Sequence, residues 1–181
     1  MKDIKIFGIL KRIPKYFLGF ILVIILGLIV NNRLCALKYS KLDTNGGILT
    51  TAEISAVKST YEYLANYDDD IFKGLKESTD LIIFNDSYEF LICDNEVVSG
   101  WNFICNNVDL KKKIYRRNAD NPQAFAVFVG DKWIGSIGTK NKLNKYIANV
   151  VPLFFPPQIM ITDDEHYKAI IIHEMVHAYE A

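Results

Sequence analysis

Near its C-terminus the chain reads His173-Glu174-Met175-Val176-His177, two histidines four residues apart with a glutamate beside the first. On a helix, side chains at that spacing project from one face, one turn apart. There both imidazoles can reach a single zinc ion at about 2.0–2.1 Å. Zinc acidifies a bound water, and Glu174 stands where its carboxylate can accept the proton as the oxygen attacks a carbonyl. The spacing is therefore a mechanical requirement of the chemistry as well as a string match. The candidate site is His173 and His177 as metal ligands, Glu174 as general base, and zinc as cofactor. The competing reading is a pair of histidines satisfied inside a core helix, with Glu174 at its edge.

The elements that must position these residues are partly visible. Thr162 and Glu165 form a T-x-x-E capping pattern that predicts a helix starting at about residue 163. From Ala169 onward few positions are polar, which predicts a helix buried on most sides, with the run Ile170-Ile171-Ile172 held by packing more than by propensity. Before it, Pro156-Pro157 breaks the chain and residues 158–162 read as a strand. Further upstream, residues 51 to about 67 predict a helix capped by Thr51, with Ile54, Val57, Tyr61 and Leu64 on one face. Asp68-Asp69-Asp70 reads as a solvated turn, since no spaced Asp/Asn loop of a calcium site follows. Residues 81–84 form a strand candidate, Asn85-Asp86-Ser87 a turn, and 88–93 a short helix or strand. Residues 101–105 are apolar and expected to be buried. Residues 125–129 and 133–137 flank Gly130-Asp131-Lys132 as a hairpin. One helix, several strands and a final helix argue for an α+β domain with a mixed sheet, not alternating βαβ units.

With those residues in order, the segment resembles the zincin metallopeptidases, and within them the gluzincins and the peptidase-MA-like domain. The residues that carry the resemblance are 81–84 with Asp86, Tyr88 and Phe90, then Gly100-Trp101, then 158–162 and His173–His177. It covers approximately residues 80–181, and only the HEMVH run is a specific match. The resemblance implies a zincin-like sheet followed by an active-site helix. It also implies a peptide or protein substrate, with residues 158–162 as the edge strand along which an extended peptide lies. A gluzincin takes its third ligand from a glutamate on a downstream helix, whereas this chain stops four residues after His177. The resemblance therefore reaches the N-terminal half of such a domain, as a truncated frame would. Within the chain, Glu180 and His166 are poorly placed for a third ligand, because Glu180 lies about 10 Å along the helix axis from His173 and His166 as far on the other side. Cys93 or Cys105 would serve as the upstream cysteine of peptide deformylases does, although the surrounding residues do not match that family. Without a third ligand the alternative is a non-catalytic, membrane-tethered binding module on the same scaffold.

The tether is the other informative segment. Between Lys15 and Arg33 lie 17 uncharged positions, nearly all apolar; at 1.5 Å per residue they span roughly 25 Å, the short end of what crosses a bilayer. Lys2, Lys5, Lys11, Arg12 and Lys15 precede it against a single Asp3, and fewer cations follow. The bias predicts a cytoplasmic N-terminus and an exported remainder. A cleaved signal is the rival, but residues 31–36 offer no clean small-x-small site. The expected layout is a cytoplasmic basic segment at 1–15, a transmembrane anchor at 16–32 and a juxtamembrane linker at 33–50. An extracytoplasmic zincin-like domain fills 51–181, on a single-pass protein of the cell membrane.

Equal numbers of acidic and basic side chains, 21 each, give no global electrostatic case for a nucleic-acid partner. The one strong charge cluster, Lys111-Lys112-Lys113-Ile114-Tyr115-Arg116-Arg117, reads as a solvated loop, or more sharply as a contact for anionic lipid. Cys35, Cys93 and Cys105 are odd in number, so a fully paired framework within one chain is excluded. Cys93 and Cys105 are expected as small buried residues, with a bridge between them left open.

Overall fold

A computed structural model describes residues 3–42, 47–66, 74–75, 79–96, 98–120, 122–150 and 156–181. It is a mixed α+β structure preceded by one long helix. That helix, α1 (Asp3–Leu42), is long and apolar enough to cross a membrane over Tyr16–Tyr39. Phe17, Leu18, Phe20, Leu22 and Val23 are exposed along it. Within the expected linker at 33–50, no glycine or proline interrupts residues 33–42, and the helix runs on through them. Residues 43–46 lie outside the described residues.

Helix α2 (Thr51–Asn66) begins one residue later than its cap, which is Thr50 and not Thr51. The Thr50 amide and hydroxyl donate to Glu53 Oε2 at 2.6 and 2.9 Å, and the Glu53 amide donates back to Thr50 Oγ1 at 3.3 Å. This is a capping box. Val57 and Leu64 are buried and Ile54 and Tyr61 pack beside them, as the helical spacing required. The Asp68–Asp70 turn falls outside the described residues.

Among the described residues six strands form one sheet: β1 (Leu81–Phe84), β2 (Tyr88–Cys93), β3 (Asn102–Asn107), β4 (Lys112–Asn118), β5 (Phe125–Val129) and β6 (Lys132–Gly138). Their order is β3-β4-β2-β1-β6-β5. All neighbours are antiparallel except β1 and β6, which run parallel. Central β1 is buried at every position, as a four-residue apolar run covered on both faces should be. Alternation sorts its residues between two cores. Leu81 and Ile83 join Phe90, Ile92, Ile137 and the helices α2 and α4, whereas Ile82 joins Leu91, Cys93, Trp101, Tyr115 and Ile134. Trp101 is buried as expected, but Phe103 and Cys105 on edge strand β3 are exposed. Cys93 is buried, and all three cysteines are free thiols.

Helix α3 (Lys140–Val150) was not anticipated. Its signal is Thr139, whose hydroxyl accepts the Lys142 amide at 3.1 Å, followed by Leu143 and Ile147 one turn apart. It packs against α1, with Ala148 on Cys35 and Ala36.

The expected strand at 158–162 is absent; the chain there makes a 3-10 turn, Pro157–Ile159. The buried Asn144 of α3 takes both backbone groups of Thr162, accepting from its amide at 2.8 Å and donating to its carbonyl at 3.2 Å. Backbone groups held by a side chain are not free to join a ladder. The same bonds move the next cap. Asp163 caps α4 (Asp164–Glu180), accepting the His166 amide at 2.8 Å, where Thr162 was expected to do so. Helix α4 lies against β6, β5 and α2. It buries one stripe, Tyr167, Ile171, Glu174 and Met175, instead of most of its circumference.

Candidate metal centre

Where α4 crosses β6 the two backbones nearly touch. A Cβ on Gly135 would fall 2.8 Å from the Glu174 carbonyl oxygen and 3.0 Å from the Met175 amide nitrogen, so this approach requires glycine. Tyr167 fixes the first half of the helix by donating its hydroxyl to the Gly138 carbonyl at 3.1 Å. Together these contacts seat the turn bearing His173, Glu174 and His177 over the β6–β5 end of the sheet.

The two histidines converge. Their Nε2 atoms are 3.0 Å apart, and the rings meet edge to face with centroids 4.4 Å apart. Two nitrogens sharing a tetrahedral zinc at 2.0–2.1 Å stand about 3.3 Å apart, so the observed pair is near the spacing that one ion imposes. His173 is exposed and His177 half-buried. Phe125 of β5 lies against the His177 ring with centroids 4.9 Å apart and limits its freedom. Sequence reasoning placed Phe125 on a strand but gave no sign that it reaches His177.

Glu174 is only 9% exposed, and its Oε2 has no hydrogen-bond partner among the described residues. Leaving a buried polar atom unpaired costs about 1–3 kcal/mol, more when it is charged. Such an atom fits a site whose partner is a solvent molecule or a ligand.

A third donor is missing from this arrangement. Among the described residues no group of three His, Cys, Asp or Glu side chains comes together. His166 is turned to its own cap, with Nδ1 2.8 Å from Asp163 Oδ1. Glu180 is exposed at the end of α4. Cys93 is packed in the second core, and Cys105 lies on β3, at the opposite edge of the sheet from β5. The donors in hand are two imidazole nitrogens. They fit a zinc ion chemically and fall one short of a catalytic set.

A groove of about 470 Å³ runs beside His173, lined by Ile159, Met160, Thr162, His166 and Ile170. The turn that replaced the expected strand forms one wall of it.

The basic cluster has a different fate. From Lys112 on it is strand β4, not a solvated loop, and Lys112, Lys113, Arg116 and Arg117 are partnered within the protein. Buried Lys112 reaches Asp80 at 3.3 Å and Asp94 at 2.7 Å. Lys113 pairs with Glu96, and Arg116 donates to the Gly47 carbonyl at 2.7 Å while covering the Tyr88 ring. Arg117 pairs with Glu89 and lies over Trp101. Cations held this way leave little of the cluster to meet a lipid surface.

No known protein family, curated protein or solved structure matches this chain.

Proposed function

We propose that this protein is a membrane-anchored, zincin-like zinc metallopeptidase, with α1 crossing the cell membrane once, N-terminus inside, and the α+β domain outside. Two observations carry the reading: the convergence of the His173 and His177 Nε2 atoms, and the burial of Glu174 Oε2 on the same turn with no partner among the described residues. His173 and His177 hold the zinc ion, which when bound supplies Lewis acidity toward a carbonyl. Phe125 restrains the His177 ring. Glu174 accepts a proton from the attacking water, and its position in an otherwise apolar stripe of α4 keeps competing donors away. The substrate is a peptide or protein. With residues 158–162 outside the sheet, the edge strand beside the site among the described residues is β5, and an extended chain can add there by main-chain hydrogen bonds.

The two-donor set among the described residues favours a second reading, a non-catalytic binding module on the same scaffold. One experiment separates them. Full-length protein in detergent is titrated with zinc by calorimetry and assayed on a mixed peptide library. Zinc uptake is expected in the parent and in Glu174→Gln, and is expected to vanish in His173→Ala and His177→Ala. Undiminished uptake by the double histidine variant would sink the metal site. Hydrolysis by the parent that is lost in Glu174→Gln supports the peptidase. Zinc uptake with no hydrolysis supports the binding module.

A further inference from the structure

The distance between the apolar part of α1 and the folded domain is very short. Asn31 directly follows the last apolar residue before Arg33, Val30, and it exchanges two hydrogen bonds with Gln158, each 2.9 Å. Gln158 belongs to the turn Pro157–Ile159. One turn further along α1, Cys35 and Ala36 pack on Ala148, with Tyr39 and Ile161 beside them. The domain is thus held against the helix by these contacts near Arg33, where charge first interrupts the apolar zone.

Depth follows from length. The stretch between Lys15 and Arg33 spans roughly 25 Å, less than a hydrocarbon core of about 30 Å, so its ends are drawn to the hydrocarbon boundary. Asn31 lies about 3 Å inside Arg33 along the axis. Exposed Leu34 and Leu37 continue the apolar surface past Arg33, which favours deeper seating, not shallower. A turn bonded to Asn31 therefore cannot stand clear of the headgroups. Its two large side chains suit that position: Ile159 is 73% exposed and Met160 56% exposed. In water both would be costly. Exposed Arg33 and Lys38 sit on the same stretch of α1 and match the phosphate layer.

We propose that the turn Pro157–Ile159 with Met160 is a second membrane contact, which sinks Ile159 and Met160 into the headgroup and upper acyl region of the leaflet that α1 leaves at Asn31. It rests on α1 being a membrane span and not on the metal site. The groove beside His173 then lies at the bilayer surface, because Ile159 and Met160 line it too.

Tryptophan quenching by brominated lipid tests this. The full-length chain is placed in nanodiscs of phosphatidylcholine and phosphatidylglycerol, with and without bromine on the acyl chains. The parent signal from Trp101 and Trp133 is subtracted. Three added tryptophans are compared, each at an exposed position: Phe17→Trp in α1, Ile159→Trp in the turn, and Val108→Trp as the distant control. Val108 follows β3 just before β4 begins, whereas Gly47, which follows α1, is bonded to Arg116 toward the other end of β4. Loss of emission at Phe17→Trp and Ile159→Trp, with little at Val108→Trp, is the expected result. Quenching at Phe17→Trp with Ile159→Trp no more affected than Val108→Trp would overturn the second contact and leave the span intact. Equal quenching at Ile159→Trp and Val108→Trp overturns it too, since the domain then has no preferred lipid-facing end. Absence of quenching at Phe17→Trp removes the span and the contact together.

Discussion

Strand β4 and helix α4 each place ionisable groups in apolar surroundings, and they treat them oppositely. Lys112 and Asp80 have side chains only 7% and 6% exposed, yet Lys112 reaches two carboxylates and Asp80 accepts from both Lys112 and Lys132. Glu174 is about as buried, and one of its carboxylate oxygens meets no donor among the described residues. A buried charge with all its partners holds a fold together and resists change. A buried carboxylate lacking one weakens the fold and is left with chemistry to do. Among the buried carboxylates Asp80 and Glu174, burial therefore does not mark the candidate site; an oxygen left without a donor does.

The largest effect expected from this contrast is at Asp80. Asp80→Ala strips Lys112 of one of its two partners and Lys132 of its own. Breaking a buried pair from one side costs about 3–5 kcal/mol, and the surviving Lys112–Asp94 contact places this case near the lower figure. Guanidinium unfolding followed by the emission of buried Trp101 reads the loss. A drop comparable to that of an ordinary surface substitution would mean that β4 is not held by its charges. The Asp80 hydrogen bond also lifts Lys132 above the usual lysine range, against a smaller opposing effect of burial. That contribution is fully present below the ordinary lysine pKa and is lost as pH rises through the raised value, so Asp80→Ala should flatten the alkaline limb of the stability profile.

The second effect has the opposite sign. Glu174→Met removes an unpaired buried carboxylate oxygen and fills the space with an apolar chain of similar length. The metal-free protein should gain about 1–3 kcal/mol in the same unfolding experiment while any hydrolysis is lost. A destabilised variant would show that Glu174 has a structural partner, and the contrast with β4 would fail.

The smallest effect lies at the surface, where charges are paired but screened. Asp86, in the turn between β1 and β2, accepts from Lys142 at 2.8 Å and from Lys145. Burial raises its carboxyl, but the hydrogen bonds and charges of these two lysines outweigh that and hold it below the usual range. The stabilisation is present above the ordinary carboxylate pKa and is lost as pH falls through the lowered one. Asp86→Asn should cost under about 1 kcal/mol at neutral pH, because the group is nearly half exposed, and close to nothing in strong acid. A loss as large as that of Asp80→Ala would erase the distinction between buried and exposed pairs.

Much of the scaffold was legible from local pattern. The hairpin of β5 and β6, the strand β1, the Asn85-Asp86-Ser87 turn and the face of α2 follow from alternation, turn chemistry and helical spacing within a few residues. Both helix caps were misplaced by one position, since Thr50 and Thr51, or Thr162 and Asp163, are equivalent until the backbone is seen. The strand expected at 158–162 failed because Asn144, far away in sequence, holds Thr162. The loop expected at 111–117 failed for a related reason. Its cations find Asp80, Glu89 and Gly47 from 28 to 69 residues away, and no local window shows such partners.

For the candidate site the division is similar. The sequence by itself determined that His173 and His177 share a face and that Glu174 lies beside them, because the helical repeat is a local property of four residues. It also determined an apolar stretch able to cross a membrane, a matter of length and composition alone. Only the tertiary structure decided that Gly135 admits α4 close against β6, that Phe125 rests on His177, and that Oε2 of buried Glu174 meets no donor among the described residues. The same holds for the two-donor set and for the domain locked to α1 through Gln158 and Asn31. These depend on groups brought together from distant parts of the chain, and desolvation is a sum over such neighbours that no local spacing encodes.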